Sequence, residues 1–191
     1  DAYEVSLMLK GNAHIKNEVV FVAEVNYAGH FVMQNIPLEQ LDMLIVVSGD
    51  EHLNEYLPLQ NCRLQASTTD ENSKGFTGSA GTAIFCVEGR SHLFVDSRYH
   101  LQAEKNCAEK FDIHKLGNKD VLEPHKWIAS HSGKSIVVGA DPFVMSPKEW
   151  ILYKNAIQQS GHTLVPITPN LVDSVWENRP NPPKKKIYNL K

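Results

Sequence analysis

The amino-acid sequence predicts an α/β protein: a mixed β-sheet of about six strands with helices on both faces. Three observations carry this reading. From Phe111 to Trp176, strand-like and helix-like segments alternate, as they do where helices cover a sheet. Thr82–Val87 and His92–Val95 flank Glu88-Gly89-Arg90-Ser91, an antiparallel hairpin with its glycine in the turn, which excludes a purely parallel sheet. Leu44–Ser48 is a β-branched run halted by Gly49-Asp50 and reads as a buried strand.

The remaining elements follow in order. Val19–Val25 reads as a strand, and Leu38–Met43 mixes charged and apolar groups as a short helix does. Gln60–Lys74 is polar and contains STTDENSK, so it is expected to be a flexible surface loop. Asp96-Ser97 caps a helix expected over Arg98–Lys110. Phe111–Lys115 is a strand, Val121–His131 a helix with Trp127 and Ile128 inward, and Ser135–Val138 a strand stopped by Gly139. Ser146-Pro147 sets a cap and a first-turn proline ahead of a helix over Glu149–Ser160, which Gly161 ends. Thr163–Ile167 is the last strand, and Asn170 caps a short helix reaching Trp176. Arg179–Lys186, RPNPPKKK, breaks the composition and reads as a linker. The expected organisation is a domain over residues 1–178, then residues 179–191 as a mobile connection into a second domain.

Composition narrows the function classes. The 191 residues carry a net charge of −3 and are 42% hydrophobic and 21% charged. With a pI near 6.3 the overall field recruits neither nucleic acid nor an acidic membrane. No apolar run approaches the ~18 residues of a membrane span. Cys62, Cys86 and Cys107 are odd in number and widely spaced, which reads as reduced, mostly buried thiols of a cytoplasmic protein.

No self-sufficient active site emerges. Gly78-Ser79-Ala80-Gly81 fails as a nucleophile elbow, because Thr77 stands where the first glycine belongs and a strand follows instead of a helix. No Lys-Ser/Thr follows the glycines, so a phosphate loop is excluded. His52 and Glu55, after Asp50-Glu51, follow a strand end, where ligand crevices of α/β sheets lie. The same residues also suit a solvated turn. His125 and His131 lack HExxH spacing. Trp127, Trp150 and Trp176 read as core or interface anchors, and Lys184–Lys186 as a solvated run. Gly75, Gly78 and Gly81, spaced by three, mark backbone that must approach something closely or adopt φ > 0.

Four blocks, in order, give the chain a family resemblance from about Leu44 to Pro183: Val47–Tyr56 (VSGDEHLNEY), Gly75–Thr82 (GFTGSAGT), Val95–Glu104 (VDSRYHLQAE), and Gly139–Pro142 with Leu164–Pro180 (LVPITPNLVDSVWENRP). They resemble the N-terminal, creatinase-like domain of aminopeptidase P, the Xaa-Pro aminopeptidases. The resemblance implies a ribonuclease H-like α/β fold and a parent enzyme releasing the residue that precedes proline. It further implies two divalent metals, typically manganese, held by a pita-bread domain that this sequence does not contain. It also implies docking on the enzyme's own middle and catalytic domains, a homodimer, and a peptide substrate with proline second. This chain by itself is then expected to hold no metal and to be inert, serving access to the site and assembly. The expected contact residues are Asp50, His52, Glu55, Gly75, Phe76, Gly78, Ser79, Gly81, Asp96, Arg98 and Tyr99. Residues 1–37 depart from the family pattern, and the aromatic strand usual before Gly75 is replaced by LQASTTDENSK. Rival readings are a protein-binding module of histone-chaperone type and a stand-alone pseudo-enzyme.

Overall fold

The protein is described by a computed structural model covering residues 19–25, 31–37, 40–70 and 73–184. Its main body is a six-stranded sheet made of β3 (Met43–Val47), β4 (Gly81–Cys86), β5 (Ser91–Val95), β6 (Phe111–Lys115), β7 (Val137–Ala140) and β8 (Thr163–Pro166). The strand order is β6-β5-β4-β3-β7-β8. β4 runs antiparallel to both neighbours, whereas the β5–β6, β3–β7 and β7–β8 pairs are parallel. Five strands therefore point the same way and only β4 opposes them. A separate two-stranded antiparallel sheet is formed by β1 (Val19–Val25) and β2 (Phe31–Pro37).

Both faces of the main sheet are apolar, and the period-two alternation of strand side chains sorts them. Leu44, Val46, Ala83, Phe85, Leu93 and Val95 face one side. There they meet Leu64 of α1 (Arg63–Thr68), Ala103 and Cys107 of α2 (His100–Cys107), and Leu171 and Val172 of α5 (Leu171–Val175). Met43, Ile45, Ile84, Cys86 and Phe94 face the other side, against Ile128 of α3 (Pro124–Ala129) and Tyr153 and Ile157 of α4 (Pro147–Gln159). Because both faces are covered, the central strands read as continuous hydrophobic runs.

Local chemistry fixes the helix starts. Ser146 and Glu149 form a reciprocal capping box, with Ser146 Oγ accepting from the Glu149 N–H and Glu149 accepting from the Ser146 N–H at 3.0 Å. The Asn170 side chain accepts from the Val172 N–H, as its position before the helix predicts. Asp96 caps a 3-10 turn over Ser97–Tyr99 that leads into α2.

The structure corrects several boundaries, among them the helix expected over Arg98–Lys110, which runs over His100–Cys107 after the 3-10 turn. Gln60–Lys74 is no loop throughout: Leu59–Asn61 forms a 3-10 turn and Arg63–Thr68 a helix, its Thr68 and Thr69 hydroxyls donating back to main-chain carbonyls. The polar composition concealed it because Leu64, helped by the small Ala66, carries the apolar contact. Of the helix expected over Leu38–Met43, residues 38–39 lie outside the described residues, and Met43 already belongs to β3. Gly139 does not stop β7 but lies within it, paired with Leu44 and Val165, since a side chain there would collide with Ile167. The helix after Val121 is shorter than expected, starting at Pro124, the first position that tolerates proline.

Candidate functional site

The topology gathers the carboxyl ends of β3, β5, β6, β7 and β8, and the start of β4, along a single edge of the sheet. The expected contact residues fall on this edge. β3 ends in Val47 and delivers Asp50, His52 and Glu55. The chain enters β4 through the glycine loop 75–81, and β5 ends in the Asp96–Tyr99 corner.

Asp50 is fully buried and organises its loop. Its carboxylate accepts from the His52 and Asn54 N–H groups at 3.1 and 3.0 Å and from the Asn54 and Asn61 amides at 2.8 and 3.0 Å. Burial alone would raise its pKa. The four donors outweigh that and bring it down to about 2. His52 and Glu55, by contrast, are exposed. The block therefore divides into a structural anchor and two side chains presented to the surface.

The glycine loop wraps an aromatic ring. Phe76 is buried, its N–H donates to Thr68 Oγ1 at 2.8 Å, and its ring meets Tyr99 edge-on at 5.5 Å. Gly75 has φ +66°, and a side chain there would strike Thr69 N and Gln65 O of the main chain. Gly78 and Gly81 answer a different need. Neither has positive φ, and added Cβ atoms would meet the Phe76 and Tyr99 rings in one case and the Phe76 ring at 2.6 Å in the other. What comes close to these two glycines is thus aromatic side chain, not main chain.

The adjoining corner is tied to this loop. Tyr99 Oη and Ser79 Oγ lie 2.8 Å apart, and hydrogen bonding from Ser79 lowers the Tyr99 pKa. Arg98 pairs with Asp96 at 2.6 Å and stands over the Tyr99 ring at 5.1 Å. A cavity of about 180 Å³ opens here, lined in part by Ser48, Glu55, Tyr56, Phe76 and Ser79. Tyr56 and Leu101 are 80% and 83% exposed, large apolar groups left in water. An edge of exposed aromatic and aliphatic groups among charged residues suits contact with another protein surface. Ala substitution at Gly78 should cost about 1–3 kcal/mol by overpacking against two rings. A denaturation midpoint unchanged in Gly78→Ala would show that the rings yield freely.

Other side chains follow a simpler pattern. Cys86 and Cys107 are buried free thiols, their pKa pushed by burial to about 11, and Cys62 is half-buried and also raised. Among the described residues, no group of three or more His, Cys, Asp or Glu is placed to hold a metal ion. No helix of the described residues is long and apolar enough to cross a membrane.

Sequence reasoning missed the ionic centre at Arg63. This arginine is 3% exposed. It donates from Nη2 to Glu51 at 2.7 Å, from Nε to Asp173 Oδ1 at 2.7 Å, and from Nη2 to Asp173 Oδ2 at 2.9 Å. Asp173 also receives Arg179 Nη1 at 2.8 Å, and Arg179 Nε donates to the Gln60 carbonyl at 2.8 Å. Arg179, the first residue of the expected linker, is therefore tied to the body; residues 185–191 lie outside the described ones. Asp173 did belong to a quoted block, but nothing near it in sequence names its partners.

A mixed six-stranded sheet covered by helices on both faces defines an α/β domain. The sequence pattern of the family described as the Creatinase/Prolidase N-terminal domain matches residues 39–175, and the chain belongs to this family. That of preprotein translocase subunit SecB matches residues 1–59, less than a third of the chain. The Creatinase/Prolidase match thus begins between β2 and β3, where the two sheets part. Human Xaa-Pro aminopeptidase 2 is 36% identical over 159 residues, which are 82% of this chain and 22% of that protein. Aminopeptidase P2 of Arabidopsis thaliana is 35% identical over 149 residues, 77% of this chain and 20% of that protein. The crystal structure of X-prolyl aminopeptidase from Caenorhabditis elegans, described as a cytosolic enzyme with a di-nuclear active site, superposes with a TM-score of 0.67 at 25% identity. The match covers 74% of this chain and 22% of that one. The chain thus spans about a fifth of the length of these relatives.

Proposed function

We propose that this chain is the non-catalytic N-terminal domain of a metal-dependent Xaa-Pro aminopeptidase, releasing the residue before proline, and that it shapes access to the active site and assembles with neighbouring domains. The observation that carries this reading is the human match: 82% of this chain aligns, yet it accounts for only 22% of that aminopeptidase. The chemistry is assigned to the remainder of the protein, where two divalent metals, manganese by family resemblance, would activate water against the peptide bond. The exposed side chains at the sheet edge, His52, Glu55 and Arg98 among them, would meet the enzyme's own middle and catalytic domains or a second subunit of a homodimer, while the buried Asp50 and Phe76 would hold the edge in shape. A cytoplasmic location accords with the free, protonated thiols and with the cytosolic nematode relative.

The test compares two proteins against an Arg-Pro-Pro type peptide with added manganese. The longer protein read from the gene should release arginine, and the 191-residue chain should not exceed a blank. Chelator-sensitive turnover by the 191 residues would overturn the assignment of chemistry elsewhere. A longer protein that is folded but inactive would favour a binding module. For the edge contact, Tyr56→Ser with Leu101→Ser in the longer protein should leave the melting temperature of this domain unchanged while lowering kcat/KM about ten-fold, the scale of a lost interface anchor.

A further inference from the structure

We propose that Arg63 is the hub of an ionic clamp that locks the pose of the 50–57 loop and the course of the 176–180 segment to one another. This stands on geometry alone and needs no peptidase activity. Arg63 sits at the start of α1, behind both segments. It takes Glu51 from the loop on one side and Asp173 from α5 on the other. Asp173 then passes the contact on to Arg179, whose second bond returns to Gln60 beside α1. Gln60 is next to Asn61, whose amide donates to Asp50 inside the same loop. The path from loop to departing segment therefore closes on itself: Asp50, Asn61, Gln60, Arg179, Asp173, Arg63, Glu51.

Two observations point to this circuit as a main hold on the 176–180 segment. A groove of about 440 Å³ separates the segment from α1, lined in part by Gln65, Thr69, Asp70, Trp176, Glu177 and Pro180. Within the segment itself the turns are short-range, from the Glu177 N–H to the Val175 carbonyl and from the Arg179 N–H to the Trp176 carbonyl, with the Arg179 guanidinium 5.7 Å from the Trp176 ring. The Arg63 and Arg179 guanidinium groups face the Glu51 and Asp173 carboxylates directly, while Asp50 is satisfied by amide and main-chain donors. Carboxylate–guanidinium bonds of this kind are directional and among the stronger hydrogen bonds available. A rigid loop and a fixed departure angle are then a single property of the domain.

The experiment is segment-resolved hydrogen exchange on the full 191-residue chain. Glu51→Gln takes the charge from one outer, solvent-accessible partner and Arg179→Ala removes the other, and both leave Arg63 bonded to Asp173. Each variant is expected to speed exchange about ten-fold at both the 52–54 and the 177–179 amides, the scale of one lost charge-assisted bond, while the β3–β5 amides stay unchanged. If Glu51→Gln affects only 52–54 and Arg179→Ala only 177–179, the two segments are independent and the clamp is overturned. Unchanged exchange in both segments overturns it equally. The reciprocal response separates coupling from plain stabilisation, because a general loss of stability would move the sheet amides as well.

Discussion

Arg63→Ala should lower the unfolding free energy by about 3 kcal/mol, at the lower end of what breaking a buried ion pair costs. The guanidinium is almost fully enclosed, and its bonds to Glu51 and Asp173 hold its pKa far above the usual value despite the burial penalty. Removing it strands Asp173 beneath α5 with only Arg179, and empties the volume filled by the arginine stem. The lower end applies because the Glu51 and Asp173 side chains are 43% and 23% exposed and regain some water. Urea denaturation of wild type and variant measures this directly. A loss below about 1 kcal/mol would mean the pair is solvated like a surface bridge.

Acid should weaken the domain well above the range in which carboxylates protonate. On the α3 side of the sheet, His92 and His114 contact through Nδ1 and Nε2 at 2.9 Å, with Trp127 tilted against His92 at 4.1 Å and Phe94 stacked on His114 at 4.1 Å. Burial, then the neighbouring His114, lowers the His92 pKa to about 4, with His131 and Arg90 adding to the effect and Asp112, 4.0 Å away, opposing it. His114 is shifted down too, chiefly by burial. The unfolded chain binds a proton at His92 near pH 6.5, whereas the folded chain does not until about pH 4. Stability is therefore complete above pH 6.5 and falls as the pH drops through that window. For His92 the loss is at most about 3 kcal/mol, from its shift at 1.36 kcal/mol per unit. Asp50, with its low pKa, adds its own loss only below about pH 4, so the two regions separate. Melting temperatures from pH 7.5 to 4.5 should decline in the wild type and flatten in His92→Gln. An equally steep decline in that variant would place the titration elsewhere.

The fold was legible in the sequence wherever period and punctuation agreed. LIVVS before Gly49-Asp50, the Glu88–Ser91 turn, and Ser146-Pro147 each signal their element through local chemistry, and each lies where expected apart from end residues. Helix α1 was not legible, because its stability comes from the Leu64 contact and from hydroxyl bonds that any polar loop could also offer. Gly139 misled because a glycine in a strand looks like a stop until Ile167, distant in sequence, is seen to lie over it. At the candidate site, the spacing of Gly75, Gly78 and Gly81 correctly signalled crowding but not its source. Only Gly75 needs its unusual φ. The Arg63 centre was invisible because its partners come from Glu51, Asp173 and Arg179, and no local pattern joins residues so far apart.

The position of β3 also bears on how the domain acquires its shape. On one side β3 pairs with β4, the first strand of a run, β4 to β6, whose neighbours are also close in sequence; on the other it pairs with β7, where Met43 meets Val138 across about half of the chain. The β4–β6 half can assemble from nearby partners, whereas joining β7 and β8 requires closing a long loop, a slow event for parallel strands. Until that closure, β3 presents an unpaired and strongly apolar edge, MLIVV, open to a second nascent chain. The seam between β3 and β7 is thus where synthesis of this domain is most exposed to aggregation.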